Sequence, residues 1–377
     1  MNTPVTISFT RQGLDESARF SSAHAATPPK RVVVIDDAMT ADEAYRLAVA
    51  GTGMLYTGDY HNARQLLGAI ARRIPAGSKP KRTAAVPTTA ERFYKYRQGR
   101  THRAKILSML LVPIDPGPVV SLRRAPDITE AWTNAFGEIS VPTVASLQEL
   151  LGAIGAQQWR VNGLHVAALD ATIYPHYGTF APVRGEYLEL VARAELPAAR
   201  RAFDIGTGTG VLAAILARRG VREVIGTDSQ DRAVACANAT FTDLGLEQSA
   251  SAVLQDMFPE GRADVVVCNP PWLPGTPSTL LDYAVYDPKS AMLRAFLTGL
   301  PAHLSAGGQG WLIISDLAER LGLRSREELL GWIEGAGLVV LGRDDTTPSH
   351  GRAADATDPF HAERSGEVTS LWKLASR

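Results

Sequence analysis

The chain has 377 residues, of which 45% are hydrophobic and 21% charged, and its basic and acidic side chains balance to a net charge of zero. The length predicts two domains, and the composition is typical of a soluble globular protein rather than a disordered or membrane-spanning one. No apolar run has the length of a signal peptide or a bilayer span, so we expect a cytoplasmic protein that is neither secreted nor anchored.

The first part of the chain changes character near residue 30. Residues 1–30 are rich in Ser, Thr, Ala and Pro without a sustained apolar period, which predicts a loosely held, disordered tail. The apolar run at 32–35 then predicts a strand, and the spacing at 41–50 and 63–74 predicts helices. Residues 31–156 are therefore predicted to form a smaller, mixed N-terminal domain.

This domain contains a strongly basic stretch at residues 64–105, where twelve basic residues accompany the single acid Glu91. Aromatic side chains at 93, 94 and 96 interleave with the cations, a pattern that favours contact with phosphates and stacking on bases. The alternative is an ordinary solvated helical face. On the first interpretation the domain recognises the substrate, with Arg92, Lys95 and Arg97 as candidate contacts.

Residues 157–184 are predicted to link this domain to the rest of the chain. Asn162-Gly163 lies between Trp159-Arg160-Val161 and Leu164-His165-Val166 and predicts a β-hairpin, because both turn positions favour positive φ. The aromatic, turn-rich segment 174–182 then predicts a loop that covers a site, with Phe180 as a candidate substrate contact.

The second half of the chain alternates strand and helix patterns from Arg201 onwards. This alternation predicts an α/β fold in which helices cover both faces of a parallel sheet. Ligands of such sheets bind beyond the carboxyl ends of the strands.

The first predicted strand of this half runs into a glycine-rich loop that starts at Asp204 and contains Gly206, Thr207, Gly208 and Gly210. Glycines allow the backbone to turn tightly and to approach a bound nucleotide. The alternative is a nicotinamide-dependent oxidoreductase, but its G-x-G-x-x-G pattern does not fit, since the third glycine comes one residue early. An acid at the start of the loop suits the cationic sulfonium and amino groups of S-adenosylmethionine better than a pyrophosphate.

Two further acids follow the next strands. Asp228 is placed to accept hydrogen bonds from ribose hydroxyls. Asp256 is a candidate acceptor for an adenine amino group, and Met257 or Phe258 is a candidate for packing on the ring. Each acid alone is also typical of a helix cap, but in series they favour an adenosine site.

The fourth strand leads directly into Asn269-Pro270-Pro271-Trp272. The side-chain oxygen of Asn269 and the main-chain oxygen of Pro270 are placed to accept N–H bonds from a planar nitrogen, turning its lone pair towards a methyl donor. The two prolines restrict the backbone, and Trp272 offers a flat face for stacking. The alternative is a strand that merely ends in a Pro-Pro turn.

Together these motifs resemble the class I S-adenosylmethionine-dependent methyltransferases over residues 201–315. The Asn-Pro-Pro-aromatic motif is similar to that of their amino-methylating branch, which includes the HemK-type glutamine N5-methyltransferases and ribosomal RNA and DNA N-methyltransferases. The resemblance implies a Rossmann-like, seven-stranded sheet in a domain of residues 185–377. It also implies cofactor contacts from the glycine loop, Asp228 and Asp256, and places Tyr283 and Tyr286 above the substrate pocket, unless they only pack. The chain departs from the HemK pattern at Trp272, where that family usually has Tyr.

The sequence thus predicts methyl transfer from S-adenosylmethionine to a base amine or glutamine amide of an RNA or a translation-related protein. The remaining alternatives are a small-molecule acceptor, a nicotinamide-dependent oxidoreductase and a non-catalytic nucleic-acid-binding protein. The two cysteines, Cys236 and Cys268, and the paired histidines at 350 and 361 lack a ligand pattern, so no metal site is predicted.

Overall fold

The structure, a computed structural model, describes residues 5–23, 26–75, 86–348 and 355–377. The chain divides into two units, Met1–Gln158 and Trp159–Arg377, and the division falls inside one helix. Within the described ranges, no helix is long and apolar enough to cross a membrane.

The N-terminal unit contains a seven-stranded mixed sheet. Its strands run in the order β1-β2-β7-β5-β4-β3, with β6 paired to β5. β3 at the edge of the sheet and its neighbours β4 and β5 are parallel, and apolar side chains from these strands lie in the core of the unit. The strand bounds are β1 Thr6–Arg11, β2 Leu14–Ser21, β3 Arg31–Ile35, β4 Thr52–Tyr56, β5 Leu110–Asp115, β6 Val119–Val120 and β7 Thr143–Ser146.

The first three helices of this unit each follow a residue whose side chain caps the helix start. Thr40 and Asp59 accept main-chain N–H bonds at the starts of the first two helices, and Thr88 forms a capping box with Glu91 at the third. The bounds are α1 Ala41–Val49, α2 Tyr60–Arg73, α3 Thr89–Leu107, α4 Thr129–Phe136 and α5 Leu147–Asn162.

The prediction of a disordered tail at residues 1–30 was wrong for residues 6–21, which form the β1–β2 hairpin. Gln12 and Gly13 both adopt positive φ at its turn. Ile7 and Phe9 alternate with exposed Ser and Thr and are buried against the sheet, together with Ala18. A two-residue period over so few apolar side chains is a weak signal, and sheet pairing of β2 with β7 supplies the missing stabilisation.

The prediction of a hairpin at Asn162-Gly163 was also wrong. The four residues before Gly163 belong to α5, and Gly163 has φ +70° and donates its N–H to the carbonyl of Trp159. Positive φ at this position therefore ends a helix rather than turning a hairpin. The short hairpin that does form pairs β8 Leu164–Val166 with β9 Ala171–Ile173.

The C-terminal unit has a seven-stranded sheet in the order β12-β11-β10-β13-β16-β18-β17, as the resemblance implied. All neighbours are parallel except β18, which runs antiparallel to both β16 and β17. The bounds of its strands are β10 Arg201–Ile205, β11 Glu223–Asp228, β12 Ala250–Leu254, β13 Ala263–Cys268, β16 Leu304–Ser315, β17 Leu338–Thr346 and β18 Thr369–Ser376. Two further strands, β14 Leu273–Pro274 and β15 Tyr286–Asp287, pair with each other in a separate two-stranded sheet.

Two apolar clusters cover the two faces of this sheet, because the central strands are buried on both sides. The chain direction across the sheet reverses between β10 and β13, which places a ligand-binding crevice at the carboxyl ends of these two strands. The helix bounds are α6 Glu186–Arg193, α7 Val211–Arg218, α8 Asp231–Asp243, α9 Ala291–His303, α10 Leu317–Arg320, α11 Arg326–Gly335 and α12 His361–Ser365.

Candidate active site

The register of the central strands brings the predicted motifs to one edge of the sheet. Ile205, the last residue of β10, lies opposite Thr227 of β11 and Cys268 of β13. The glycine loop, Asp228 and the Asn-Pro-Pro-Trp turn therefore leave adjacent strands side by side.

The glycine loop follows β10 and folds back against β11. Gly206, Gly208 and Gly210 have φ values of +74°, +56° and +77°, a region that only glycine adopts without strain. The main-chain N–H groups of Gly206 and Thr207 both donate to the carbonyl of Thr227. A side chain at Gly210 would approach the Phe241 ring to 2.8 Å, so the loop packs tightly on α8.

Asp204 lies behind this loop and is fully buried. Its Oδ2 accepts from the Thr207 hydroxyl at 2.7 Å and from the N–H of Ala213 at 3.1 Å, while Oδ1 has no hydrogen-bond partner within the described residues. Burial, together with the nearby charge of Asp228, raises the pKa of Asp204 to about 7, although its hydrogen bonds oppose the shift. A buried carboxylate with an unsatisfied oxygen fits a site for a cationic ligand.

Asp228, at the end of β11, is partly buried and oriented by two main-chain groups. Its Oδ2 accepts from the N–H of Gly208 at 3.1 Å and its Oδ1 from that of Gln230 at 3.0 Å. Burial raises its pKa. Each carboxylate oxygen retains a further acceptor position, which suits the ribose hydroxyls expected here.

Residues 256–258, which follow β12 after Gln255, have different environments. Asp256 is exposed, and Met257 adopts φ +61° and accepts the Thr227 hydroxyl with its carbonyl. Phe258 is buried and stacks on His303 at 4.2 Å, so it belongs to the core. Of the two candidates for packing on an adenine ring, Met257 is therefore the available one.

The Asn-Pro-Pro-Trp turn follows β13 with its prolines buried and its Asn269 partly exposed. The indole N–H of Trp272 donates to Oδ1 of Asn269 at 2.8 Å. The ring of the buried Tyr187 meets Trp272 edge-on at 6.5 Å. Burial raises the pKa of Tyr187 above its usual range.

Tyr187 and Arg184 are site residues that sequence reasoning missed. The Arg184 guanidinium lies 5.0 Å from the centre of the Trp272 ring. The segment Pro182-Val183-Arg184-Gly185-Glu186 offered one signal, a charged pair at the start of α6, but nothing in its spacing linked it to Trp272.

The loop at 174–182 contacts α8 and the segment that follows the turn. A side chain at Gly178 would lie 2.8 Å from Arg232 and 2.9 Å from Leu280. Phe180 is partly buried in this loop. The loop therefore packs beside the candidate site rather than on the far edge of the sheet.

Tyr283 and Tyr286 lie in the segment after the turn. Tyr286 is in β15 and pairs with Leu273 of β14, immediately after Trp272, whereas Tyr283 is 59% exposed. Asp287 is buried and accepts from the N–H groups of Met292 and Leu293, so it caps the start of α9.

The candidate contacts Arg92, Lys95 and Arg97 lie in α3 of the N-terminal unit, not in the unit that carries Asn269. Arg92 and Lys95 are exposed and Arg97 is partly buried. Basic residues 79, 81 and 82 of the same stretch lie outside the described residues. On α2, the exposed side chains form an open groove of about 480 Å³ with no acid in its lining, which consists of His61, Arg64, Gln65, Gly68 and Arg72.

In the part of the chain that the structure describes, no group of three or more His, Cys, Asp or Glu residues could hold a metal ion. Cys236 and Cys268 are both buried free thiols. His350 of the predicted surface pair lies outside the described residues.

The chain is similar to known methyltransferases. Residues 188–320 match the family model described as methyltransferase small domain. The chain is 32% identical to a ribosomal protein L11 methyltransferase of Geobacter sulfurreducens over 41% of this chain and 49% of that protein. It is 34% identical to a release factor glutamine methyltransferase of Mycobacterium tuberculosis over 46% of this chain and 53% of that protein.

A third relative is the ribosomal RNA small subunit methyltransferase C of Pectobacterium atrosepticum, 33% identical over 29% of each chain. The chain spans about half the length of the first two relatives. The matched family region includes the glycine loop, Asp228 and the Asn-Pro-Pro-Trp turn. Residues 188–320 therefore resemble the methyltransferase small domain family, and the C-terminal unit that contains them is similar to S-adenosylmethionine-dependent methyltransferases.

Proposed function

We propose that this protein transfers a methyl group from S-adenosylmethionine to a planar nitrogen of an RNA or a translation-related protein. The observation that carries this proposal is the position of Asn269. It directly follows Cys268, which lies opposite the last residue before the glycine loop. An amide acceptor therefore lies beside the cofactor loop at the crevice of the sheet.

The residues that would hold the cofactor are the glycine loop, with Gly206, Thr207, Gly208 and Gly210, and the acids Asp204, Asp228 and Asp256. Asp228 would bind the ribose, and Met257 would pack on the adenine. The unsatisfied carboxylate oxygen of Asp204 fits a cationic group, either directly or through a bridging water. S-adenosylmethionine would supply an electrophilic methyl group bound to a sulfonium. The electrons of the sulfur–methyl bond stay on sulfur when the methyl group is transferred.

Asn269 and Pro270 bind and orient the target nitrogen. Their oxygens accept the two N–H groups of an amide or a base amine, so the lone pair faces the methyl and the developing positive charge is stabilised. The fixed backbone of Pro270 and Pro271 supplies this geometry without competing donors. The proton leaves to solvent after the nitrogen has gained its fourth bond, so no general base is required.

The proposed substrate class rests on two lines of support. The relatives bear the names of methyltransferases acting on ribosomal protein L11, release factor glutamine and ribosomal RNA. The N-terminal unit exposes a basic helix, on which Arg92, Lys95 and Arg97 are the proposed contacts. Phe180, Tyr283 and Tyr286 are proposed to contact the target group near Trp272.

One experiment tests the function directly. The protein is incubated with methyl-labelled S-adenosylmethionine and fractionated cell extract, and label is counted in RNA, DNA, protein and small molecules. We expect label in RNA or in a ribosomal or release-factor protein, reduced at least about a hundredfold by Asn269→Ala. The exposed Asn134→Ala serves as a control with the same side-chain loss. Full labelling by the Asn269 variant, or label only in small molecules, would contradict the proposal.

A further inference from the structure

The orientation of the Asn269 amide is fixed by a donor that has no acceptor capacity. An indole N–H can only donate, so the group 2.8 Å from Trp272 Nε1 must be the amide oxygen. Because Oδ1 has two lone pairs, one remains for a target N–H.

Trp272 is in turn held by Arg184. The guanidinium lies over the indole at 5.0 Å and its side chain is only 18% exposed. It pairs with Glu186 at 3.0 Å and with Glu367 at 3.2 Å, and both carboxylates are buried. A desolvated cation over an indole face contributes more than an exposed one, so the ring is firmly placed.

The contacts that run from Trp272 through Arg184 end at Glu367, beside the C-terminal strands. Glu367 precedes β18 and accepts the Ser315 hydroxyl at 2.6 Å, at the end of β16. Arg184 thus connects the entry segment, the strand ends and Trp272 through side chains whose positions are set by the sheet.

We infer that Trp272 and Arg184 are positioning residues: the indole N–H orients the Asn269 amide oxygen towards the target nitrogen, and Arg184 holds the indole in place. The reaction role rests on the proposed function, whereas the hydrogen-bonded chain does not. A tyrosine, as the HemK resemblance predicts at this position, has no ring N–H with which to do this.

The contact chain is tested by nuclear magnetic resonance of the indole N–H groups. Trp272→Phe assigns one of the six tryptophan signals, and Trp332→Phe, another indole beneath an arginine, is the matched control. We expect Asn269→Ala to move the Trp272 signal upfield and to speed its exchange with water, leaving the Trp332 signal in place. Arg184→Gln should move the Trp272 signal, and Arg184→Lys should move it less. An unchanged Trp272 signal in Asn269→Ala overturns the inference.

The reaction role is tested on the labelled fraction found above. Trp272→Phe keeps the aromatic face and should lower kcat by about tenfold, the effect of one hydrogen bond, with KM and cofactor affinity within about twofold of wild type. Arg184→Gln should lower kcat similarly, and the double variant should lose less than the product of the two. Trp332→Phe and the exposed Arg193→Gln should retain wild-type kcat.

The two proposals fail in different ways. If no macromolecular fraction is labelled by the wild type, the proposed function fails while the indole signals still decide the contact chain. If labelling is normal but Trp272→Phe retains full kcat, the function stands and the positioning role is overturned. A raised KM with unchanged kcat would likewise overturn it, because it indicates a binding contact rather than orientation.

Discussion

The hydroxyl of Thr207 donates to Oδ2 of Asp204 at 2.7 Å, so the glycine loop is fastened to the strand that precedes it by a fully buried carboxylate. The other oxygen of Asp204 lacks a hydrogen bond within the described residues. A single residue therefore shapes the loop and leaves one buried carboxyl oxygen unsatisfied behind it.

Asp204 should make cofactor binding depend on pH. Its pKa is raised to about 7 by burial, so the free protein is largely protonated there below pH 7. A cationic ligand favours the ionised form, and affinity should rise with pH through this window, by up to about tenfold per unit below pH 7. Calorimetric titration with S-adenosylmethionine between about pH 5.5 and 8 measures this pH dependence of the cofactor affinity.

Asp204→Asn is the control for this prediction, because it retains an oxygen for Thr207 and cannot ionise. The difference between the two proteins at each pH removes the ligand's own titration. Parallel affinity curves for wild type and Asp204→Asn would show that Asp204 does not sense the ligand's charge.

Gly210→Ala should destabilise the C-terminal unit. The residue has φ +77°, and the added carbon would lie 2.8 Å from the Phe241 ring. We expect a loss of about 2–4 kcal/mol in the free energy of unfolding, from strain plus overpacking. Gly220→Ala, at φ +95° with open space around it, should cost only about 1–2 kcal/mol in urea titrations. Equal losses for both variants would rule out the contact with Phe241.

Neutralising α3 should weaken RNA binding if this helix is the substrate surface. For the triple change of Arg92, Lys95 and Arg100 to Gln, the slope of log affinity against log salt should fall in magnitude by about 2. Fluorescence anisotropy with a labelled single-stranded RNA measures it. Neutralising the exposed Arg193, Arg200 and Arg222 of the other unit removes the same charge and should leave the slope unchanged. Equal effects from both triples would assign the binding to net charge alone.

The β1–β2 hairpin should contribute to the stability of the N-terminal unit. Phe9 is 6% exposed and packs with Leu55, Leu111 and Val144, so Phe9→Ala should cost about 3–4 kcal/mol. Leu14→Ala, 70% exposed beside the turn, should cost less than about 0.5 kcal/mol. Thermal melting compares the two, and an unaffected Phe9 variant would restore the interpretation of residues 6–21 as a loose tail.

The sequence was sufficient where apolar runs are long and both faces of a strand are buried. β10, β11 and β13 are of this kind, and the chemistry-bearing residues follow them directly, so their shared edge could be predicted. The sequence was insufficient where one local backbone preference is compatible with two different structures. Positive φ at Gly163 suits a hairpin turn and a helix end equally, and the packing of α5 decides between them.

The contacts that hold Trp272 in place could not be predicted from the sequence for another reason. Arg184, Trp272 and Glu367 are far apart in the sequence, and only the assembled sheet brings them together. Asn269 and Trp272 could be named from their motif, but the hydrogen bond between them could not, since it depends on how the two side chains are oriented in the folded site.

The hydrogen bond from Trp272 to Asn269 also makes the intrinsic fluorescence of Trp272 a signal for acceptor binding. Indole emission responds to the partner of its N–H, and a target nitrogen arriving at Oδ1 must change the acceptor strength that the indole experiences. With the other five of the six tryptophans replaced by Phe, acceptor binding becomes visible in real time without any dye. Candidate acceptors could then be ranked by titration before any of them is methylated.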